Sequence, residues 1–101
     1  MIVYNITSKI DHSVIDDWLQ WMQDEHIPDV MATGLFSEPR LCRVIGMDES
    51  EGLTYAMQFS CDSLSVMHRY EVNFAKALRK KTQQRYGEKV LSFRTLMEVV
   101  G

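Results

Sequence analysis

The segment "WLQWMQDEHIPDV", Trp18 to Val30, gathers the residues of this chain best suited to chemistry: two tryptophans, a methionine and the adjacent pair Glu25-His26. Histidine titrates near neutrality, at about 6.5 in an unperturbed setting, and a neighbouring carboxylate can tune it. One reading makes His26 a general base or a ligand-gripping donor in a pocket between a helix and a sheet, with its pKa set by Glu25. The other makes both residues structural, because polar groups on an apolar helix face need partners. His26 then donates to a backbone carbonyl near the helix end, and Glu25 pairs with an arginine. A lone Glu-His dipeptide is a weak signal, so the residues favour the structural reading. Both side chains are then expected to be largely buried and hydrogen-bonded within the protein, with no void large enough for a ligand beside them.

A ligand seated there would meet His26, Glu25, Arg43, Tyr4, Tyr55 and Trp18. Arg43 shares a strand face with Leu41 and Ile45 if the strand is regular past Pro39, which carries its guanidinium beneath the helices to clamp an anion or, more simply, to neutralise Glu25. Tyr4 and Tyr55 are expected side by side on central strands, as core rings with hydroxyls at the rim.

Other chemistries find no pattern. The three histidines, at 12, 26 and 68, form no i, i+4 pair and no His-x-x-x-Glu, so no zinc or iron site is expected. Cys42 and Cys61 lack a CxxC spacing and read as reduced core thiols, which points to the cytoplasm. No phosphate-cradling glycine loop is present, and no cofactor is expected. The formal charge of −3 gives nucleic acid no general attraction. The basic run "RKKTQQR", Arg79 to Arg85, reads as a solvated helix end. No stretch approaches the roughly 20 apolar residues of a membrane span, and the chain is expected to begin directly with structure.

The elements that must position these residues are set by periodicity. "IVYNITSKI" alternates as a strand, and Asp11 or Ser13 can cap the helix after it. Apolar positions 14, 15, 18, 19 and 22 predict a helix reaching His26, with a break or kink at Ile27-Pro28 and a further short turn ended by Gly34. On that helix Glu25 and His26 fall within the apolar arc. Residues 35–46 read as an edge strand because of Pro39, forming a hairpin with "LTYAMQFSC". A second helix, capped by Asp62 or Ser63, runs to Tyr86-Gly87, and "KVLSFRTLMEVV" is a last strand.

Strand, helix, strand, strand, helix, strand in a single domain of 101 residues is the ferredoxin-like α+β arrangement. Tyr4, Tyr55, Met57, Phe59 and Phe93 are expected beneath the two helices. The other sheet face, with Val3, Asn5, Cys42, Val44, Ala56, Gln58 and Leu96, is too apolar for water alone and is expected to be covered by a second copy.

The run "DHSVIDDWLQWMQDEHIPDVMATGLF", with the terminal "FRTLMEVV", resembles a bacterial domain-of-unknown-function family within the superfamily of dimeric α+β barrels. The resemblance implies two ferredoxin-like subunits packed sheet to sheet, and it brings no established reaction or catalytic residues. Superfamily relatives include cofactor-independent monooxygenases, small isomerases and haem-degrading enzymes. The last carry an iron-binding histidine late in the second helix, where this chain has Lys76, Arg79 and Lys80. The expectation is a cytoplasmic homodimer, non-enzymatic or binding a small molecule; the alternative is a cofactor-free monooxygenase- or isomerase-type enzyme using His26.

Overall fold

The computed structural model describes residues 1–101. Its elements are β1 (Ile2–Ile10), α1 (Ile15–Trp21), α2 (Ile27–Met31), β2 (Ser37–Arg43), β3 (Leu53–Cys61), α3 (Leu64–Tyr70), α4 (Lys76–Tyr86) and β4 (Val90–Glu98). The strands form one antiparallel sheet in the order β2-β3-β1-β4, with the helices packed on one face, which is the ferredoxin-like arrangement. Local chemistry sets the boundaries. Asp11 accepts from the Ser13 amide ahead of α1, Ser63 accepts from the Val66 amide at the start of α3, and Gly87, at φ 56°, ends α4.

The helix does not end at Pro28, and the irregularity expected there takes the form of a widened turn. A π-turn, Met22–His26, joins α1 to α2, and the Ile27 amide reaches back five residues to the Met22 carbonyl. A proline inside a regular α-helix would leave a carbonyl without its donor and press its ring against the preceding turn; widening that turn takes up the proline and lets the helix continue. A second π-turn, Glu71–Ala75, joins α3 to α4.

β2 lies at a sheet edge, as its proline requires. Its pairing with β3 shifts between Ser37 and Arg40, and Glu38 sits there at φ 51°. β4 is the other edge, and its faces are the reverse of the expected ones. Thr7 pairs with Phe93 and Tyr4 with Leu96, so Phe93 lies on the open face, 63 % exposed, while Leu96 lies on the helix side. β4 carries apolar residues at both parities, so its own pattern does not choose between them; pairing with β1 does. Tyr4 and Tyr55 are likewise not cross-strand neighbours: Tyr4 faces Phe59, and Tyr55 faces Ser8.

Beneath the helices Phe59, Ile10 and Val30 are fully enclosed. Phe36 bridges the layers, with ring centroids 5.5 Å from Phe59 and 4.9 Å from Tyr70. Cys61 is buried, whereas Cys42 is exposed and not a core thiol. No helix is long and apolar enough to cross a membrane.

Candidate functional site

Between the helices and the sheet a void of about 40 Å³ remains, room for a few water molecules. Its apolar walls come from Ile6, Met57 and Phe59 on the sheet and from Trp18, Met22 and Val30 on the first helix. Its polar lining is Tyr4, His26, Arg79 and Arg94, with Ser8, Ser92 and Thr82. Each is placed by an element already described. Tyr4 and Ser8 are inward positions of β1, Ser92 and Arg94 are the β4 residues opposite Ser8 and Ile6, Arg79 and Thr82 lie on α4, and His26 closes the first π-turn.

His26 is half-buried, and its ring stacks on Trp21 with centroids 5.0 Å apart. Its Nδ1 is buried without a hydrogen-bond partner. Desolvation drives its pKa from 6.5 down to about 4; Arg94 and Lys81 push the same way, and Asp29 opposes them. The imidazole is therefore uncharged at neutral pH.

The Tyr4 hydroxyl accepts two hydrogen bonds, from Arg79 Nη2 and Arg94 Nε, each 3.1 Å long. With both acceptor positions occupied by cations, its own O–H remains to be given, and the bonds it accepts strengthen it as a donor. Arg79 also donates to Glu71 at 2.7 Å, while its Nε is buried without a partner. Burial works against the Arg79 charge, yet the bonds to Glu71 and Tyr4 hold its pKa above the usual guanidinium value. Tyr70, whose ring lies 5.7 Å from that of Tyr4, has its phenol pKa raised, chiefly by burial.

Of the residues singled out in the sequence, His26, Tyr4 and Trp18 come together on this void. Tyr55 packs against the outer side of Trp18, with centroids 5.5 Å apart, and does not line it. Glu25 is exposed and forms no ion pair. Arg43 does share a strand face with Leu41, but at the open end of the edge strand, where Glu49 holds it with contacts of 2.6 and 2.7 Å; it reaches neither Glu25 nor the void. The expected bond from His26 to a backbone carbonyl is also absent, and its buried Nδ1 has no partner within the protein. The sequence reading missed Arg79 and Arg94. The first belongs to a basic run that has the composition of a solvated helix end, and the second faces inward only through the register of β4. No cluster of three or more His, Cys, Asp or Glu side chains is placed to hold a metal ion.

The family described as a domain of unknown function, DUF4286, matches residues 1–100. No curated protein matches the chain. Among solved structures, a dimeric ferredoxin-like protein from an uncultured marine organism is similar, with a TM-score of 0.76 at 9 % identity, over 99 % of this chain and 95 % of that one. An ethyl tert-butyl ether D (EthD) family protein from Bacillus halodurans aligns with a TM-score of 0.69 at 17 % identity, over 99 % of this chain and all of that one. A protein from Deinococcus radiodurans, provisionally described as an antibiotic biosynthesis monooxygenase, gives 0.65 at 13 % identity, over 100 % and 94 % of the two chains. At these identities the likeness concerns the fold.

Proposed function

We propose that this chain, which belongs to the DUF4286 family, is a small-molecule-binding protein of the cytoplasm that works as a homodimer, with its ligand seated between the helices and the sheet against His26, Tyr4 and Trp18. One observation carries the reading. The two buried side-chain atoms that lack a partner, His26 Nδ1 and Arg79 Nε, belong to residues lining the same void. Leaving a buried polar atom unpaired costs about 1–3 kcal/mol, so two such atoms at one cavity call for a guest that supplies their partners, water in the empty site and a ligand in the filled one. The homodimer is supported by the exposed apolar row Leu91, Phe93 and Met97 on the open face of β4, with the exposed Val99 just beyond the strand, and by a similar structure that is itself described as dimeric. The cytoplasmic placement rests on two unpaired cysteines.

A second reading, a cofactor-independent enzyme of monooxygenase or isomerase type, is favoured by the uncharged state of His26. An imidazole that keeps one ring nitrogen unprotonated at neutral pH, in a lining that also holds Tyr4, Arg79 and Arg94, can accept a proton from a bound ligand.

The experiment is a melting curve of His26→Phe at about pH 7.5. The phenyl ring keeps the stack on Trp21 and removes the unpaired nitrogen. A ligand-binding His26 predicts an unchanged or raised midpoint, since such residues are held at a cost in stability. A hydrogen-bonded structural His26 predicts a loss of about 1–3 kcal/mol, and that result would overturn the reading.

A further inference from the structure

The charged groups that line the void, Arg79 and Arg94, can only donate, while the hydroxyls of Ser8, Ser92 and Thr82 and the imidazole of His26 can do either. Tyr4 has its O–H to give, because its lone pairs already accept from two guanidinium groups. Arg79 has an unpaired Nε–H. Arg94 takes part in none of the ion pairs of the chain, so its charge has no counter-ion. Guanidinium groups present no acceptor, and neutral His26 can serve as donor or acceptor. A ligand that satisfies this set must bring acceptor oxygens and negative charge.

The way in carries the same sign. A groove of about 520 Å³ between α4 and β4 adjoins the void, sharing Arg79, Thr82, Val90, Ser92 and Arg94 with it. Lys76 and Lys80 line the groove as well, and neither is paired with a carboxylate. Opposing them are Glu88 on the groove wall and Glu71, which is committed to Arg79. The chain as a whole is negative, at −3, so this groove is a local positive field on an acidic protein, the arrangement that draws small anions inward. Behind the cations the walls turn apolar, with Trp18, Met22 and Met57. Methionine side chains yield readily to an entering group.

We infer that the ligand of this site is a small organic monoanion, a carboxylate or comparable oxyanion on an apolar body, whose oxygens lie against Tyr4, Arg79 and Arg94 and whose body enters among Trp18, Met22 and Met57. The inference rests on the reading of the void as a ligand site and adds to it the charge and polarity of what is bound.

The test titrates the purified full chain with benzoate and hexanoate, each beside its uncharged amide, at constant ionic strength. The signals monitored are the Trp18 indole N–H and the His26 ring in NMR spectra. Each acid is expected to bind at least about tenfold more tightly than its amide, a difference of about 1.4 kcal/mol, with both signals shifting. Arg94→Gln should bring each acid to within about threefold of its amide, chiefly by weakening the acid. Should that variant fold poorly, the acid-to-amide ratio in the unaltered protein decides alone. Equal binding of acid and amide with shifts at Trp18 would overturn the anion and leave the ligand site standing. Binding of neither up to about 20 mM would overturn the anion as well, and the His26→Phe melting curve then judges the site separately.

Discussion

Acidification should destabilise this protein through His26 well before most carboxylates protonate. In the unfolded chain the imidazole titrates at its ordinary value of 6.5, and in the folded protein burial holds it at about 4. Its folded pKa is depressed, so the unfolded state binds the proton first. The stability involved is fully present above pH 6.5 and is lost as pH falls toward 4. Each pKa unit corresponds to about 1.4 kcal/mol, so by about pH 5 the loss amounts to about 2 kcal/mol. In a chain of this size that is about 10 °C in melting temperature. The assay is urea unfolding of the unaltered protein and of His26→Phe at several values between about pH 7.5 and 5. The other ionisable side chains are common to both proteins, so the difference between the two isolates the imidazole. The stability of His26→Phe relative to the unaltered protein should therefore grow by about 2 kcal/mol across the range. Parallel curves, within about 0.5 kcal/mol of each other, would mean that His26 is hydrated in the folded state, and the account of a desolvated ring beside the void would fall.

Gly52 offers a test of backbone packing. A Cβ there would stand 2.6 Å from the Ile10 carbonyl oxygen, at the end of the β1–β3 ladder, so Gly52→Ala should cost about 2 kcal/mol or more. Gly46→Ala, at φ 80° with open space around it, should cost about 1 kcal/mol; equal losses in chemical denaturation would refute the close approach. Sedimentation at micromolar concentration should find a dimer burying more than about 1,200 Å² in total, and Phe93→Asp should yield a folded monomer. A monomeric unaltered protein would remove the dimer from the proposal.

The fold was legible because its signals are local: alternation in "IVYNITSKI" and "LTYAMQFSC", caps at Asp11 and Ser63, Gly87 after α4, and a proline marking β2 as an edge. Part of the lining of the void was legible too, since His26, Tyr4 and Trp18 stand out by type. Arg94 was not. Its strand alternates Leu91, Phe93, Met97 and Val99 against Ser92 and Arg94, and the apolar set looks like the buried one. The protein does the reverse, exposing the apolar row on the open face and turning serine and arginine beneath the helices. Departures from the hydrophobic pattern are expected where a protein handles polar ligands. Arg43 misled for a related reason: the bulge at Pro39 preserved its face, but an edge strand's end lies beyond the cover of the helices, and nothing in the spacing of residues reports that cover.

The π-turn Met22–His26 also fixes the azimuth of everything beyond it. Side chains four apart on a regular α-helix drift by about 40° per step, which over three steps carries the last one about 120° around the axis. Here Trp18, Met22, His26 and Val30, each four apart, all wall the same void, because the extra residue held in the wide turn cancels the drift and sets them in a straight column. A wheel at a uniform 100° per residue puts Glu25 on the inner arc for want of that correction. A chain shortened by one residue between Met22 and His26 would lose the wide turn that takes up Pro28 and rotate its distal segment by about 100°, trading His26 for another side chain at the cavity wall. The length of this segment therefore specifies the site as strictly as the histidine itself does.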